Sequence, residues 1–184
     1  EKAGAKIERW NVPEIDEAMK LTELHGSLAS AESYHEYRQL VEGEEGRKID
    51  PRVVHRIMQG AAMSANDLLY IQNTRRKTMG TLALALGRAL LAMPTTPITA
   101  PKIAPLDADS ELFHKVNLHA LRNTAIGNFL GLCGLAIPNG RDRKGLPTSI
   151  LFNAPVGQDD SLLGYGLEID RVLPSGFDPT WRRI

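Results

Sequence analysis

The stretch that decides the fold runs from residue 128 to residue 152 and reads NFLGLCGLAIPNGRDRKGLPTSILF. It contains two short apolar segments, Gly134–Ile137 and Thr148–Phe152, separated by a basic turn at Asn139–Gly145. Short apolar runs that are bounded by turn residues are typical of strands buried on both faces. The stretch therefore predicts two core strands joined by an exposed turn.

Helical segments flank these strands. Residues 110–126 are predicted to be helical, and so are residues 159–172, which begin with two aspartates and end near an arginine, charges that oppose the helix dipole. Upstream, Ala89–Met93 is a short apolar run that predicts another buried strand. Four prolines then predict a loop, because each blocks helix and central-strand pairing: Pro94, Pro97, Pro101 and Pro105.

Helix signals dominate the first half of the chain. The helix starts are marked by a proline at a first helical position and by serine and aspartate caps, and a glycine marks a helix end. They predict helices over residues 13–25, 28–41, 50–62 and 64–86, preceded by a short strand over residues 6–12. Leu82, Leu84 and Leu86 also alternate with period two, so a strand is an alternative there. Helices alternating with short apolar strands predict an α/β fold whose sheet is largely parallel or mixed and covered on both faces.

Composition excludes several classes of protein. The 184 residues carry 22 basic and 22 acidic side chains, and zero net charge argues against nucleic acid or an anionic membrane as the main partner. The single cysteine excludes a disulfide scaffold and a cysteine-rich zinc site, and it indicates a reducing, cytoplasmic setting. No apolar run is long enough for a transmembrane helix, and no signal peptide is recognisable.

The residues by themselves form no complete catalytic constellation. Gly140 and Gly145 have the spacing of a phosphate-binding loop, but the Lys-Ser/Thr pair that should follow is absent, so a solvated turn is the favoured interpretation. His114 and His119 are five residues apart and lie on different helix faces, which disfavours a metal site. Cys133 has apolar neighbours in sequence and is interpreted as a small buried thiol.

Two further residues have both a functional and a local interpretation. Arg75 lies within a predicted helix, where its guanidinium could bind a substrate carboxylate in a bidentate manner or simply face solvent. Asn128 lies where a helix meets a loop, a position at which asparagine usually acts as a local cap.

Three stretches, in this order, resemble the C-terminal half of the amidase signature family. Residues 90–101, LLAMPTTPITAP, are similar to the family's apolar strand followed by Pro-Thr-x-Pro-x-x-Ala-Pro. Residues 128–140 resemble its Asn-x-x-Gly turn leading into a buried strand that ends in Pro-x-Gly. Residues 145–152 and 159–163 resemble the Gly-Leu-Pro strand and the acidic start of the closing helix. Upstream, the pair at residues 31–32, the Ser-Ala-x-Asp at residues 64–67 and Arg75 also fit, so the resemblance extends over residues 6–173.

The resemblance implies the C-terminal part of an α/β/α fold with a mixed sheet covered by helices. We expect residues 1–184 to form the C-terminal portion of a single amidase domain. Within it, residues 6–88 would form a strand and then helices, residues 89–173 strands and closing helices, and residues 174–184 a tail.

The resemblance also implies hydrolysis of a carbon–nitrogen amide bond through a Ser–cis-Ser–Lys triad, an acyl-enzyme and an oxyanion hole, without a cofactor. The family carries these residues on a segment with a Gly-Gly-Ser-Ser run, whereas this sequence has no adjacent serines and no Gly-Gly pair. We therefore expect the triad to lie outside this chain and the chain alone to be inactive. The resemblance places substrate-binding residues at Arg75 and Asp159, which match an arginine and an acid that hold an amino-acid head group, and at Asn128, which would order the turn.

The expected partners are a small-molecule amide substrate, the missing N-terminal half of the same protein and a second copy in a homo-oligomer, with no membrane or nucleic acid. Two alternatives stay open. The chain could be a non-catalytic interaction module that reuses the fold, or it could be part of the A subunit of a tRNA-dependent amidotransferase. Cys133 stands where the family usually has proline, and Thr148-Ser149 where it has Val-Gly, which leaves the subfamily and the substrate open.

Overall fold

The computed structural model describes residues 4–173, and these divide into two compact units. One unit is helical and runs from Val12 to Thr81. The other contains residues 4–11 together with residues 82–173 and includes the sheet. Among residues 4–173, none of the helices combines the length and the apolar character that crossing a bilayer requires.

Helices form the first unit. They are α1 (Pro13–His25), α2 (Leu28–Glu42), α3 (Pro51–Met58) and the part of α4 (Ala65–Leu86) up to Thr81, with 3₁₀ turns at Glu44–Lys48 and Gln59–Ala62. The buried apolar side chains of this unit belong to Val12, Ala18, Leu21, Val41 and Ile71. On α1, residues 18 and 21 are three apart, so they share one helix face and α1 presents an apolar stripe to this core.

Proline and glycine set the ends of α1. Pro13 occupies the first helical position, where the missing N–H is not needed. Gly26 has a φ of 86°, and its N–H donates to the carbonyl of Thr22 at 3.1 Å, which ends the helix. The predicted bounds of this helix, 13–25, are confirmed.

Short-range hydrogen bonds set the starts of the next three helices. Ser27 Oγ accepts the N–H three residues on at 3.0 Å, and the Asp50 carboxylate accepts the N–H of Arg52 at 2.8 Å. At the start of α4 the N–H of Asp67 donates to Ser64 Oγ at 3.0 Å, and the N–H of Ser64 donates to the Asp67 carboxylate at 3.1 Å. This reciprocal pair is a capping box with aspartate in place of glutamate, as the sequence predicted.

A very close approach joins α2 to the 3₁₀ turn that follows α3. Gly60 is buried in this turn, and a Cβ at this position would overlap the main-chain oxygen of Ser30 and lie 2.7 Å from the Cβ of Tyr34. Real Cβ atoms do not approach other atoms so closely, so only glycine fits here. The helical hairpin of α2 and α3 therefore depends on this one small residue.

The second unit contains a three-stranded antiparallel sheet within the described residues. Its strands are β1 (Leu91–Pro94), β2 (Cys133–Arg141) and β3 (Pro147–Ala154), in the order β1–β3–β2. Leu91 pairs with Asn153, and Cys133 pairs with Ala154. Three helices accompany the sheet: α5 (Ile103–Ala108), α6 (Ser110–Phe129) and α7 (Asp159–Val172).

A tight turn closes the β2–β3 hairpin. The Asp142 carboxylate accepts the N–H groups of Lys144 at 2.8 Å and Leu146 at 2.9 Å, and the N–H of Asp142 donates to the carbonyl of Leu146 at 2.8 Å. The hydrogen bond from the Leu146 N–H is the main reason why the pKa of Asp142 lies below its ordinary value. These N–H groups already donate hydrogen bonds within the turn. The glycine-flanked turn therefore closes the hairpin and does not form a phosphate-binding loop.

Helices α6 and α7 pack on opposite faces of the sheet. Alternate strand residues point to opposite faces. Asn153 points towards α6, because a Cβ at Gly127 would lie 3.3 Å from its Oδ1. Leu135 pairs with the residue before Asn153 and so lies on the other face, where its side chain contacts Gly166 of α7. This arrangement confirms the α/β class, with the sheet covered on both faces.

The strand pairing differs from the expectation of a largely parallel or mixed sheet. All pairing in the described sheet is antiparallel. The reason is local, since β2 and β3 are joined by a short turn that reverses the chain. The alternation of helices and strands along the sequence cannot reveal this pairing.

Two local predictions are also wrong, whereas the predicted helix over residues 64–86 is confirmed and its strand alternative is excluded. Residues 6–12 form no strand, and Lys6 and Glu8 in this segment form an exposed ion pair at 2.5 Å. Residues 82–86 are helical, because the α4 ladder continues to the Gly87 N–H, which donates to the Ala83 carbonyl at 3.0 Å. The proline-rich loop contains α5, with Pro105 in its first turn, where an N–H has no helical partner. The predicted tail at residues 174–184 lies outside the described residues.

Candidate functional site

Two of the three substrate-binding residues predicted from sequence lie at the same end of the sheet. Asn128 is the penultimate residue of α6 and precedes β2 by five positions. Asp159 is the first residue of α7 and follows β3. Strand β2 begins at Cys133 and strand β3 ends at Ala154, and these two residues are paired. The connection from α6 to β2 and the connection from β3 to α7 therefore lie at the same end of the sheet.

The main chain orders the turn after Asn128. The carbonyl of Asn128 accepts the N–H groups of Leu130 and Gly131, the latter at 3.2 Å, while the N–H of Leu132 donates to the Gly127 carbonyl at 2.9 Å. Gly131 has a φ of 63°, the left-handed conformation in which such helix ends close. The sequence predicted a side-chain cap, whereas the side chain of Asn128 is exposed and the turn closes through its backbone.

The Asp159 carboxylate is exposed and held from one side. Cys133 Sγ donates to its Oδ2 at 3.1 Å, and the same sulfur lies 3.4 Å from the Pro155 carbonyl oxygen. The carboxylate lies at the N-terminus of α7, where the helix dipole stabilises a negative charge. An exposed carboxylate in this position can accept hydrogen bonds from the N–H groups or the ammonium of a ligand. Cys133 is half-buried, so its interpretation as a buried thiol is wrong.

Arg75 lies in the other compact unit, on α4, where it is half-buried. Its neighbour Arg76 is exposed and donates to the side-chain oxygen of Asn73 at 3.3 Å. The two guanidiniums on this helix therefore differ in exposure, and the half-buried one is the residue that the family resemblance selected.

One polar cluster in the helical unit was not found from sequence. His25 Nδ1 lies 2.8 Å from Asp67 Oδ1, and the Tyr70 ring packs against the imidazole with a centroid separation of 4.7 Å. The sequence predicted Asp67 only as part of a cap. His25 and Asp67 are 42 residues apart, and no spacing signal connects them.

This cluster lacks the geometry of a nucleophile and its base. The Ser64 hydroxyl donates to Asp67 at 2.5 Å, so Asp67 lies between Ser64 and His25. A nucleophilic serine needs a hydrogen bond to the imidazole itself, with the carboxylate on the far side of the ring. Within residues 4–173 there is also no group of three or more His, Cys, Asp or Glu side chains arranged to hold a metal ion.

The Asp67 cluster predicts a pH-dependent stability. The Ser64 hydroxyl, and after it the His25 imidazole, lowers the pKa of Asp67 from 3.8 to about 2. The folded state thus binds fewer protons than the unfolded state, so Asp67 stabilises the fold above about pH 4. We expect this contribution to be lost as the pH falls through about 2.

Urea denaturation as a function of pH measures this effect. Asp67→Asn should have a lower midpoint than the unsubstituted protein at pH 7, and the difference should vanish near pH 2. Glu36→Gln, an exposed carboxylate on α2, is the matched control. A pH-independent difference for Asp67→Asn would contradict the assignment of the effect to the ionised carboxylate.

Comparison with known proteins places this sheet and its helices in a family. The model of the amidase family matches residues 1–163 of the chain. The chain therefore belongs to the amidase family, as the resemblance of its three stretches to the amidase signature implied.

Curated relatives are much longer than this chain. A 2-amino-5-chloromuconic acid deaminase from Comamonas testosteroni is 28% identical over 180 residues, which cover 95% of this chain and 37% of the relative. The A subunit of the glutamyl-tRNA(Gln) amidotransferase of Corynebacterium diphtheriae is 34% identical over 123 residues, which cover 63% of this chain and 24% of the relative. The chain thus spans less than half the length of the relatives that it matches.

Solved structures share the fold. A 6-aminohexanoate cyclic dimer hydrolase in complex with its substrate superposes with a TM-score of 0.73 at 18% identity, covering 97% of this chain and 40% of that one. A further amidase structure superposes with a TM-score of 0.68 over 92% of this chain. The expectation of an amidase-type α/β fold is confirmed.

Proposed function

We propose that this chain is the C-terminal part of an amidohydrolase that cleaves a carbon–nitrogen amide bond by a Ser–cis-Ser–Lys acyl-enzyme mechanism. The observation that carries the proposal is the match of the amidase family to residues 1–163, in a chain that spans 37% of a related deaminase. The 184 residues contain no adjacent serines and no Gly-Gly pair. The nucleophile, the bridging serine, the lysine and the oxyanion hole would therefore come from polypeptide outside these residues.

The contribution of this chain would be to bind the substrate. Asp159 is exposed at the start of a helix and held by Cys133, so its carboxylate is pre-positioned to accept an N–H or ammonium group of the substrate. Arg75 would bind an acidic group of the substrate, because a guanidinium binds a carboxylate in a bidentate manner. Asn128 would fix the turn that leads into β2. The substrate would be a small amide, and we infer a cytoplasmic enzyme without a cofactor.

A second candidate function is that of the tRNA-dependent amidotransferases, in which the chain would be part of the A subunit. Its support is the 34% identity to the amidotransferase of Corynebacterium diphtheriae, which covers 63% of this chain, whereas the deaminase match covers 95%. Amide turnover that requires neither another polypeptide nor tRNA would distinguish the first candidate from the second.

A chimera with the related deaminase tests the proposal. In the chimera this chain replaces the matched segment of the Comamonas testosteroni deaminase, and the isolated 184-residue chain is assayed beside it. A fluorophosphonate probe should label one serine of the chimera, because an activated serine hydroxyl attacks it. The isolated chain should remain unlabelled and should not hydrolyse simple amides. Labelling of the isolated chain, or a folded chimera without a reactive serine, would overturn the proposal.

The role of Asp159 has its own readout in the same chimera. Asp159→Asn is expected to lower kcat/KM at least about tenfold, mainly through KM, because it removes charge that binds the substrate before the reaction. Asp160→Asn is the matched control, since Asp160 is exposed at the same helix start. Equal effects of the two substitutions would argue against a specific role for Asp159.

A further inference from the structure

The outer face of α7 carries an ordered stripe of four residues. Asp160, Gly164, Leu167 and Arg171 follow each other at intervals of four, three and four residues, and all four are exposed. At 3.6 residues per turn they lie within about 60° of the helix surface, over a length of about 16 Å. We call these four residues the α7 stripe.

The sheet does not use this face of the helix. Leu162 and Gly166 are the buried residues of α7, and a Cβ at Gly166 would overlap Leu135 of β2. Leu167 is 67% exposed and the neighbouring Leu163 is 55% exposed. Two leucines this exposed, one turn apart, form an apolar strip on the solvent side of the helix.

The α7 stripe is self-complementary about its midpoint. The midpoint lies between Tyr165 and Gly166, so residues equally distant from it face each other when two such helices pack antiparallel. Asp160 then faces Arg171 of the other helix, and Gly164 faces Leu167. Each charge therefore meets its opposite, and each leucine meets a glycine.

We propose that the α7 stripe is a homodimer interface at which two copies of this chain pack their α7 helices antiparallel around a twofold axis. Gly164 has no atom within 4 Å of the position that a Cβ would take, which leaves a hollow on the helix surface for the Leu167 side chain of the second copy. The twofold symmetry uses the same patch on both copies and makes every contact twice.

The charges select this orientation. Arg171 donates to Glu168 of its own chain at 2.7 Å, so its guanidinium is already held near the end of the stripe. In the antiparallel pair the Asp160 carboxylate of the second copy approaches this guanidinium. A parallel pair would instead place Asp160 beside Asp160 and Arg171 beside Arg171. Antiparallel helix dipoles also attract, because unlike ends meet.

The expected dimer is weak and reversible. Two four-turn helices bury less than the ~1,200 Å² of a standard stable interface. We therefore expect association in the micromolar range, detectable by sedimentation equilibrium at about 10–500 μM protein.

Charge reversal provides the test, on the full 184-residue chain. Asp160→Arg alone and Arg171→Asp alone should each weaken dimerisation about tenfold or more, because each places like charges opposite each other. The double variant D160R/R171D should restore the dissociation constant to within about threefold of the unsubstituted value, since it restores both pairs. This rescue separates the loss of a charge pair from misfolding, because a second substitution that restores the charge pairs would not repair a misfolded single variant.

A leucine pair provides the matched control. Leu167→Asp should leave the chain monomeric, whereas Leu118→Asp, at a residue of α6 that is 66% exposed, should leave the dissociation constant unchanged. Circular dichroism and the thermal midpoint establish that each variant folds. An unsubstituted chain that stays monomeric, or a dimer that does not respond to the charge reversals, overturns the proposal and assigns the α7 stripe to another partner or to solvent.

Discussion

Replacing Gly60 with alanine is expected to destabilise the protein by about 3 kcal/mol or more, the upper range for an overpacked site. The added Cβ would overlap the main-chain oxygen of Ser30, and it would lie 2.7 Å from the main-chain carbon of that carbonyl. A side chain could rotate away from the new methyl group, but a helix backbone cannot. The α2–α3 hairpin must therefore separate, and α2 must move as a whole.

Gly80→Ala is the matched control for this substitution. Gly80 lies within α4, and a Cβ there would have no atom within 4 Å. Alanine in an open helix position should stabilise the protein by about 0.5–1 kcal/mol, because glycine loses more backbone entropy on folding. The same chemical change is thus expected to have opposite signs at the two sites.

Thermal denaturation measures both variants. For a chain of this length, 1 kcal/mol corresponds to a shift in Tm of roughly 2–4 °C. Gly60→Ala should therefore melt roughly 6–12 °C below the unsubstituted protein, and Gly80→Ala slightly above it. A Gly60→Ala protein as stable as Gly80→Ala would show that α2 and the 3₁₀ turn are not in contact.

Leu130→Ala is expected to cost about 3 kcal/mol, within the ~2–5 kcal/mol that truncating a buried leucine usually costs. Leu130 is 2% exposed and lies in the turn between α6 and β2, where its N–H donates to the Ile126 carbonyl at 2.9 Å. Alanine would keep this backbone bond and remove the apolar contacts. The loss should therefore be one of packing, with the turn conserved.

Leu118→Ala supplies the comparison, because it makes the same change on α6 at a residue that is 66% exposed. We expect a change within ~0.5 kcal/mol, as is usual for surface sites. Urea denaturation gives both values from the midpoints at equal slope. Similar losses at the two leucines would contradict the burial of Leu130 in the core of the sheet unit.

Local signals explain which parts of the fold the sequence could predict. The bounds of α1 and α7 were predicted residue for residue, because proline, glycine and paired acids act on the chain within one helical turn. The capping box at Ser64 was predicted for the same reason. The predicted strand over residues 6–12 was wrong because alternation over a few residues does not supply a pairing partner.

Contacts distant in sequence explain what was missed. The His25–Asp67 and Cys133–Asp159 contacts join residues 42 and 26 positions apart, and no periodicity encodes such pairs. The pairing of β1 with β3 has the same origin, since Leu91 and Asn153 are 62 positions apart. The family resemblance selected the candidate site residues, and Arg75 lies in a different compact unit from Asp159, so their joint role stays a prediction.

The pairing of β3 with both of its neighbours also implies an order of events during folding. The β2–β3 pairs are 6 to 21 residues apart, from Arg141–Pro147 to Cys133–Ala154, whereas Asn153 and Leu91 are 62 apart. Closing the longer loop costs more chain entropy, and non-local pairing slows folding. We expect the hairpin to form early and β1 to join last. Weakening β1 should then speed unfolding more than it slows folding, so this short strand would set the lifetime of the folded sheet.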